Sequence, residues 1–481
     1  MKKNFIYSVI YEIFRLVVPL LTTPYISRVL GASGIGTYTL AHTYSQYFIL
    51  FAGLGFATYA ARELAYVRDD KEKLHVAYME IFMVRTVLLL LAIGVYAVCF
   101  FVLNRQEDFS YRICMIYLVA SIFDVSYYFK AIENFKTVAL RNIMIKVLGM
   151  VLIFCMVKEA SQVWLYTLIL ALSELLGQVM MVVAVEKRMW KPIVPDVSRM
   201  KGHLKGAFSL FIPALAVQMY TMLDKVMVGG ICGEGETGFY ENAQKMVRLV
   251  AIISSTIVGV FVPRMSYLYA AREERKFAFY FGKVFKLVSF LVFPMCFGLM
   301  GVSDSFSVWY FGKSFEGIEQ LLILGAPLVI SLGWSGILGN MILVASGNQK
   351  YYTIAVYVGA GLNICINLLL IPEYGAAGAM IGSLIAEFSG MLLMMGFCRK
   401  KFPYEFPGRN VLHYLCASVL MFGLLKFMTY CGLKDTWMDT ALEVLAGAVV
   451  YLGTLMVLKD SVLLDTIEDV KKFLEGRKCS K

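Results

Sequence analysis

Sixteen of the acidic and basic side chains inside the long apolar runs of this 481-residue sequence stand where a charge is costly and therefore informative. The basic ones are Arg15, Arg85, Lys146, Lys225, Lys245, Arg248, Lys286 and Lys426. The acidic ones are Glu12, Glu80, Asp124, Glu174, Asp224, Glu241, Glu387 and Glu443. A charge at the centre of a bilayer costs about 3 kcal/mol on insertion scales, so such residues face a bundle interior, pair, or reach toward the interface. Lys245 and Arg248 are three apart and share a helix face. With Arg15 they are the leading candidates for a cationic cavity wall; Lys146, Lys225 and the turn residue Arg28 complete the set. The competing reading is local pairing: Glu12 with Arg15, Asp224 with Lys225, Glu174 with Lys146. Lys286 and Lys426 lie within reach of helix ends and are expected to snorkel.

Glu80, Glu241 and Glu443 fall near the ends of their runs and are expected to reach water. Glu12, Asp124, Glu174, Asp224 and Glu387 form the coupling or gating set. A deep carboxylate can take up and release a proton, or serve as a helix–helix hydrogen bond. Enzyme motifs are absent. Gly312-Lys313-Ser314 ends like a phosphate-binding loop, but Ser307 stands where the first glycine belongs. The four histidines, His42, His75, His203 and His413, have no metal-ligand spacing, and His42 reads as a packing residue. The ten cysteines contain no CxxC. No cofactor and no nucleic acid is expected, and energy must come from gradients or the membrane potential.

The elements that carry these residues are set by composition. The chain is 59% hydrophobic and only 16% charged, with a mean hydropathy of +0.70. No soluble core of this size hides that much apolar surface. The sequence predicts an all-α integral membrane protein with about fourteen spans, at 6–30, 37–61, 77–103, 111–131, 138–157, 163–185, 207–230, 238–262, 279–301, 318–345, 352–371, 376–397, 411–430 and 438–458. Pro19, Pro24, Pro213, Pro294 and Pro327 interrupt spans. Gly333, Gly336 and Gly339 are hinge candidates, and Gly378 with Gly382 form a GxxxG contact. With the N-terminus inside, 31 of the 45 basic residues fall in inner segments, which predicts both termini cytoplasmic. Val462–Glu475 reads as an amphipathic helix against the inner face.

Two echoes reveal an internal repeat. Gly36, Tyr38 and Ala41 map onto Gly238, Tyr240 and Ala243 with an offset of 202. Ser173-Glu174-Leu175-Leu176-Gly177 maps onto Ala386-Glu387-Phe388-Ser389-Gly390 with an offset of 213. An even number of spans separates the copies, so the repeats run the same way, a transporter architecture. The expected division is a six-helix lobe over 1–205, a second over 206–400, and two extra helices with a cytoplasmic tail over 401–481.

The run Pro19-Leu20-Leu21-Thr22-Thr23-Pro24-Tyr25-Ile26-Ser27-Arg28-Val29-Leu30-Gly31 resembles the first helix of Wzx-type polysaccharide flippases of the multidrug/oligosaccharidyl-lipid/polysaccharide exporter superfamily. Arg62-Glu63 with Val67-Arg68-Asp69-Asp70, Glu133-Asn134-Phe135-Lys136, Leu223-Asp224-Lys225, Ser346-Gly347-Asn348-Gln349-Lys350 and Pro372-Glu373-Tyr374-Gly375 extend the likeness over essentially the whole chain. The resemblance implies two parallel six-helix lobes around a central cavity. It also implies alternating-access transport of undecaprenyl-pyrophosphate-linked oligosaccharides across the cell membrane, in contact with membrane lipids and other polysaccharide assembly proteins. The rival within the same fold is a multidrug antiporter, which calls for an acidic, aromatic cavity.

Overall fold

The computed structural model describes residues 2–103, 108–402, 406–432, 436–465 and 468, with no strand among them. The first ten helices are α1 (Lys2–Gly53), α2 (Phe56–Tyr66), α3 (Lys71–Ala97), α4 (Phe109–Ile113), α5 (Met115–Ile122), α6 (Ser126–Ala131), α7 (Phe135–Met156), α8 (Val163–Ala184), α9 (Val197–Cys232) and α10 (Glu234–Ala270). They are followed by α11 (Glu274–Phe311), α12 (Ile318–Gly325), α13 (Leu328–Ser335), α14 (Gln349–Lys401), α15 (Gly408–Tyr430) and α16 (Trp437–Val457). Among the described residues, 11 stretches are long and apolar enough to cross a membrane. Two of them, Leu16–Tyr66 and Gln349–Lys401, each contain two expected spans folded back on each other. The seventh expected span lies in α9, outside those stretches. Much of the expected amphipathic helix Val462–Glu475 lies outside the described residues.

The fold-backs follow from glycine. Gly31 interrupts α1 with φ 69° and ψ −176°, backbone that side-chain-bearing residues avoid. Tyr25, before it, packs its ring 4.8 Å from Phe154 and donates to the Val157 carbonyl at 2.6 Å. Tyr38, after it, sits 4.9 Å from Tyr166. A straight helix would separate Tyr25 and Tyr38 by about 20 Å, yet both meet the same end of the α7–α8 hairpin. Gly375 does the same in α14, with φ 55°. There Gly359 faces Ala386, Gly382 faces Asn367, and Gly378 lies against the Leu370 carbonyl. The expected Gly378–Gly382 contact is thus the seam of a hairpin within α14.

Packing divides the chain into two units, Met1–Gly238 and Phe239–Lys481. In the first, Phe56, Tyr78, Tyr127 and Tyr128 form a core against Trp190. The long connection after α8 is held to α3 by Glu80. That carboxylate is 1% exposed and accepts from the Asp196 amide (3.2 Å) and from Arg199 (3.1 Å), with His203 at 3.5 Å. The expectation that Glu80 reaches water is therefore corrected: the N-terminal turns of α9, with the Asp196 amide just before them, lie against α3 and supply its partners. Two motifs that carry the family likeness also meet here. Arg68 pairs with Glu133 at 2.6 Å, and Asn134 caps α7 at the Thr137 amide. Asp70 caps α3, and the Lys73 amide and ammonium hold its carboxyl below the usual range.

In the second unit α15 and α16 pack on α11 through polar contacts spaced along its length. Lys426 pairs with Asp304 at 2.7 Å, Trp309 donates to Thr440 at 2.8 Å, and Tyr451 donates to the Phe290 carbonyl at 2.7 Å. Glu443 is fully buried, accepting from Thr429 at 3.0 Å and from Ser305. One expectation is corrected here: Glu443 does not reach water, because it joins helices; Lys426, near the end of α15 and partly exposed, reaches Asp304. Hydrophobicity drives no association between helices in lipid, and such bonds contribute about 0.6 kcal/mol each. Several in register fix the pair to α11. The hinge candidates Gly336 and Gly339 lie in a π-helix, Gly336–Val344, a wider turn that local packing must support.

Candidate functional site: two equivalent polar stripes

The repeat seen in the sequence reappears as geometry. Gly233, at the 202 offset from Gly31, has φ 89° and ψ −178°, nearly the same backbone. The two turns touch reciprocally. A Cβ on Gly36 would overlap the Glu234 carbonyl, and a Cβ on Gly238 would overlap the Ala32 carbonyl. Residue 32 becomes 234 and 36 becomes 238 under the same offset, so each turn offers the other its counterpart surface. Thr37 donates to the Glu234 carboxylate at 2.7 Å. The second echo is equally real. In the α7–α8 hairpin Gly149 faces Ser173 and Gly177 faces Ile145; in α14 Gly359 faces Ala386 and Gly390 faces Ala355.

Beyond each turn a polar stripe descends at i, i+4, i+8, one face of a helix. In the first unit it is Tyr38, His42 and Gln46; at the 202 offset in the second it is Tyr240, Gln244 and Arg248. Tyr38 stacks on His42 with centroids 5.5 Å apart, and His42 meets Gln46 at 3.2 Å. Tyr240 hydrogen-bonds Ser383 on α14 at 3.0 Å, Gln244 donates to the Tyr240 hydroxyl at 2.9 Å, and the Arg248 Nε donates to Gln244 at 3.3 Å. Arg248 lies about 21 Å from the helix start, deep in a hydrocarbon layer about 30 Å thick, and is exposed. A guanidinium exposed at that depth is tolerated where water reaches it. Its partner Gln244 fixes its direction.

The other sequence candidates divide. Lys245 is partly exposed beside Arg248, Arg28 is exposed, and Lys146, Lys225 and Glu387 are partly exposed. Asp224 is 2% exposed while Lys225 is not buried, as expected for neighbours on different faces. Asp124 pairs with Arg85 at 3.4 Å, and Arg85 also donates to the Asp124 and Ser121 carbonyls and lies over the Tyr127 ring. This is a neutralised structural pair. Glu174 lies 3.7 Å from Arg141 and accepts from Gln178 at 2.6 Å. The side chains of Glu12 and Arg15 lie outside the described residues. Sequence reasoning makes His42 a packing residue and passes over Gln46 and Gln244; the signal that finds them is the shared i, i+4, i+8 spacing at the 202 offset. Among the described residues no group of three or more His, Cys, Asp or Glu is placed to hold a metal ion.

A separate apolar groove of about 610 Å³ opens in the second unit between α10, α11, α15 and α16, lined by Met246, Phe290, Pro294, Met421 and Val444 among others.

These features define a multi-pass helical membrane protein built from two repeats of one hairpin plan, each presenting a polar face at membrane depth. Residues 1–269, more than half of the chain, match the family model described as polysaccharide biosynthesis protein, and the chain belongs to that family. It is 21% identical over 405 residues to a putative O-antigen transporter of Shigella dysenteriae, covering 82% of this chain and 99% of that one. A putative O-antigen transporter of Escherichia coli (strain K12) is 21% identical over 413 residues, 83% of this chain and 97% of its own. Among solved structures, the lipid II flippase MurJ in an inward closed conformation superposes with a TM-score of 0.77 at 17% identity, over 95% of this chain and 100% of that chain. An inward-facing multidrug resistance MATE family transporter of the MOP superfamily gives 0.59 at 15% identity, over 81% of this chain and 98% of that one. The resemblance to Wzx-type exporters drawn from the sequence motifs is borne out, and so is the all-α, two-repeat fold class.

Proposed function

We propose that this chain flips a polyprenyl-pyrophosphate-linked oligosaccharide from the inner to the outer leaflet of the cytoplasmic membrane by alternating access. It does so as a transporter rather than an enzyme. The observation that carries the reading is Arg248, exposed at membrane depth and aimed by Gln244. Pyrophosphate and sugars cannot cross hydrocarbon unaided. A cation 4 Å from a phosphate charge contributes about 4 kcal/mol at an effective dielectric of about 20, before desolvation. Arg248 and Lys245 hold the head group without trapping it, and Arg28, Lys146 and Lys225 add positive charge along its path. The apolar groove on α10, α11, α15 and α16 suits a polyprenyl tail. With both termini cytoplasmic, an anionic head group moving outward gains about 2.3 kcal/mol per charge for each 100 mV. The transporting lobes are 1–205 and 206–400, with 401–481 accessory. Undecaprenyl pyrophosphate is the carrier, and the neighbouring assembly proteins are its suppliers and consumers. A cationic wall disfavours the rival reading as an exporter of organic cations.

Depletion of the protein tests this directly. Lipid-linked sugars should accumulate on the inner leaflet, and the purified chain in vesicles should render a fluorescent undecaprenyl-pyrophosphate glycan accessible from the opposite side. Vesicles in which the glycan stays on one side would sink the reading.

A further inference from the structure

Four aromatic rings from three separate elements converge in the first unit. Tyr38 and His42 come from α1, Tyr117 from α5 and Tyr166 from α8. Tyr38 stacks on His42; Tyr166 meets Tyr38 edge-on at 4.9 Å; Tyr117 meets His42 edge-on at 4.8 Å. The Tyr38 and Tyr117 hydroxyls lie 3.4 Å apart. Gln46 continues the stripe one turn below. Tyr38, His42 and Gln46 are about 10, 16 and 22 Å beyond the Gly31 turn, which spans the middle of a bilayer.

Burial gives these rings their meaning. Tyr117 is buried, whereas Tyr38, His42, Gln46 and Tyr166 keep part of their surface open. Phenol, imidazole and carboxamide groups open at mid-membrane depth suit a hydrated space better than lipid, which offers them no partners beyond one another. What they offer is apolar ring faces edged by neutral donors and acceptors, with no acid or permanent cation among them. That surface matches a pyranose, which presents a C–H face bordered by hydroxyls. Ring faces cover the C–H patch while hydroxyl, imidazole and amide edges bond the rim. A phosphate would want a cation such as the one that ends the equivalent stripe, Tyr240–Gln244–Arg248.

We propose that Tyr38, His42, Gln46, Tyr117 and Tyr166 form a sugar-stacking subsite that recognises the glycan part of the transported lipid; the proposal rests on the flippase reading above. Glycan selectivity then resides in the first unit, and the cationic residues of the second serve the head group.

The test is equilibrium binding of the full chain in nanodiscs to two probes: bare undecaprenyl pyrophosphate, and the same lipid carrying an N-acetylhexosamine-containing oligosaccharide. The wild type should prefer the glycosylated probe by about tenfold, the scale of one or two aromatic contacts. Tyr38→Ala and Tyr166→Ala should bring that ratio close to one. Tyr38→Phe and Tyr166→Phe, which keep the ring, should retain most of it. A wild-type ratio near one, or an alanine variant whose ratio is unchanged, overturns the subsite while leaving the flippase reading standing on the bare probe. A wild type that binds neither probe overturns both. Because each variant is read as a ratio on one preparation, a general loss of folded protein does not mimic the expected result.

Discussion

The two stripes start from the same turn, the same tyrosine and the same spacing, and diverge by one step of chemistry. Tyr38 leads to His42 and Gln46, a neutral aromatic face; Tyr240 leads to Gln244 and Arg248, a hydrogen-bonded chain that ends in a guanidinium. Tyr240 is 1% exposed and locked to Ser383, whereas Tyr38 is only partly buried. On the proposed reading, one backbone plan, used twice, serves two parts of a single amphipathic substrate. What is duplicated is the scaffold, and what has drifted is the last turn of side chains.

The largest effect is expected when the second stripe is made to resemble the first. Arg248→Gln should lower flipping by about tenfold to a hundredfold, the range for losing a charge-assisted hydrogen bond. Membrane abundance should stay near wild type. A vesicle accessibility assay reads the rate, and a wild-type rate would remove Arg248 from the site.

Next in size is the contact that makes the turns equivalent. Gly238→Ala and Gly36→Ala each force a methyl into a carbonyl, and overpacking of this kind costs about 1–3 kcal/mol. Gly235, where an added Cβ meets open space, serves as the control. Thermal denaturation in detergent should show a fall for Gly36→Ala and Gly238→Ala and almost none for Gly235→Ala. Equal behaviour of all three would mean that the turns do not bear on each other.

A smaller and more specific effect is expected at Asp224. The 202 offset sets it against Thr22, and its place immediately before Lys225 matches that of Ser27 before Arg28. Neither counterpart ionises near neutral pH, so the acid belongs to one repeat alone. Asp224→Asn, nearly isosteric and fixed neutral, should abolish the dependence of flipping on external pH while substrate binding survives. Vesicles with imposed pH gradients check it, and an unaltered pH profile excludes Asp224 from coupling. The smallest change belongs to Lys286→Ala, which should leave flipping within about twofold of wild type, as for a side chain whose head group reaches the interface.

The architecture is legible because glycine punctuates it. Gly31, Gly36, Gly233 and Gly238 are demanded by backbone conformation or close approach, and such demands survive in a sequence as spacing. The paired charges are less so. Arg85 and Asp124 are 39 residues apart and Lys426 and Asp304 are 122 apart, separations no helical period can signal. Glu80 and Glu443 escape sequence reasoning for one physical reason: closeness to a span end is not closeness to water. At Glu80 the start of α9 covers the carboxylate, and at Glu443 the neighbouring α11 and α15 do. The stripe residues are hidden because each is ordinary alone. His42 and Gln46 acquire a role only when set beside Gln244 and Arg248.

The reciprocal turn contact has an evolutionary reading. Residue 32 against 238 and 36 against 234 is the pattern of an isologous interface, in which one patch meets a second copy of itself. In a homodimer of half-length chains every substitution there would appear twice, and a glutamate at this position would come with a twin on the other copy. Joining the halves in one polypeptide lifts that constraint. Ala32 on one side and Glu234 on the other is an asymmetry a homodimer could not keep, and the single carboxylate takes the Thr37 hydroxyl as its partner.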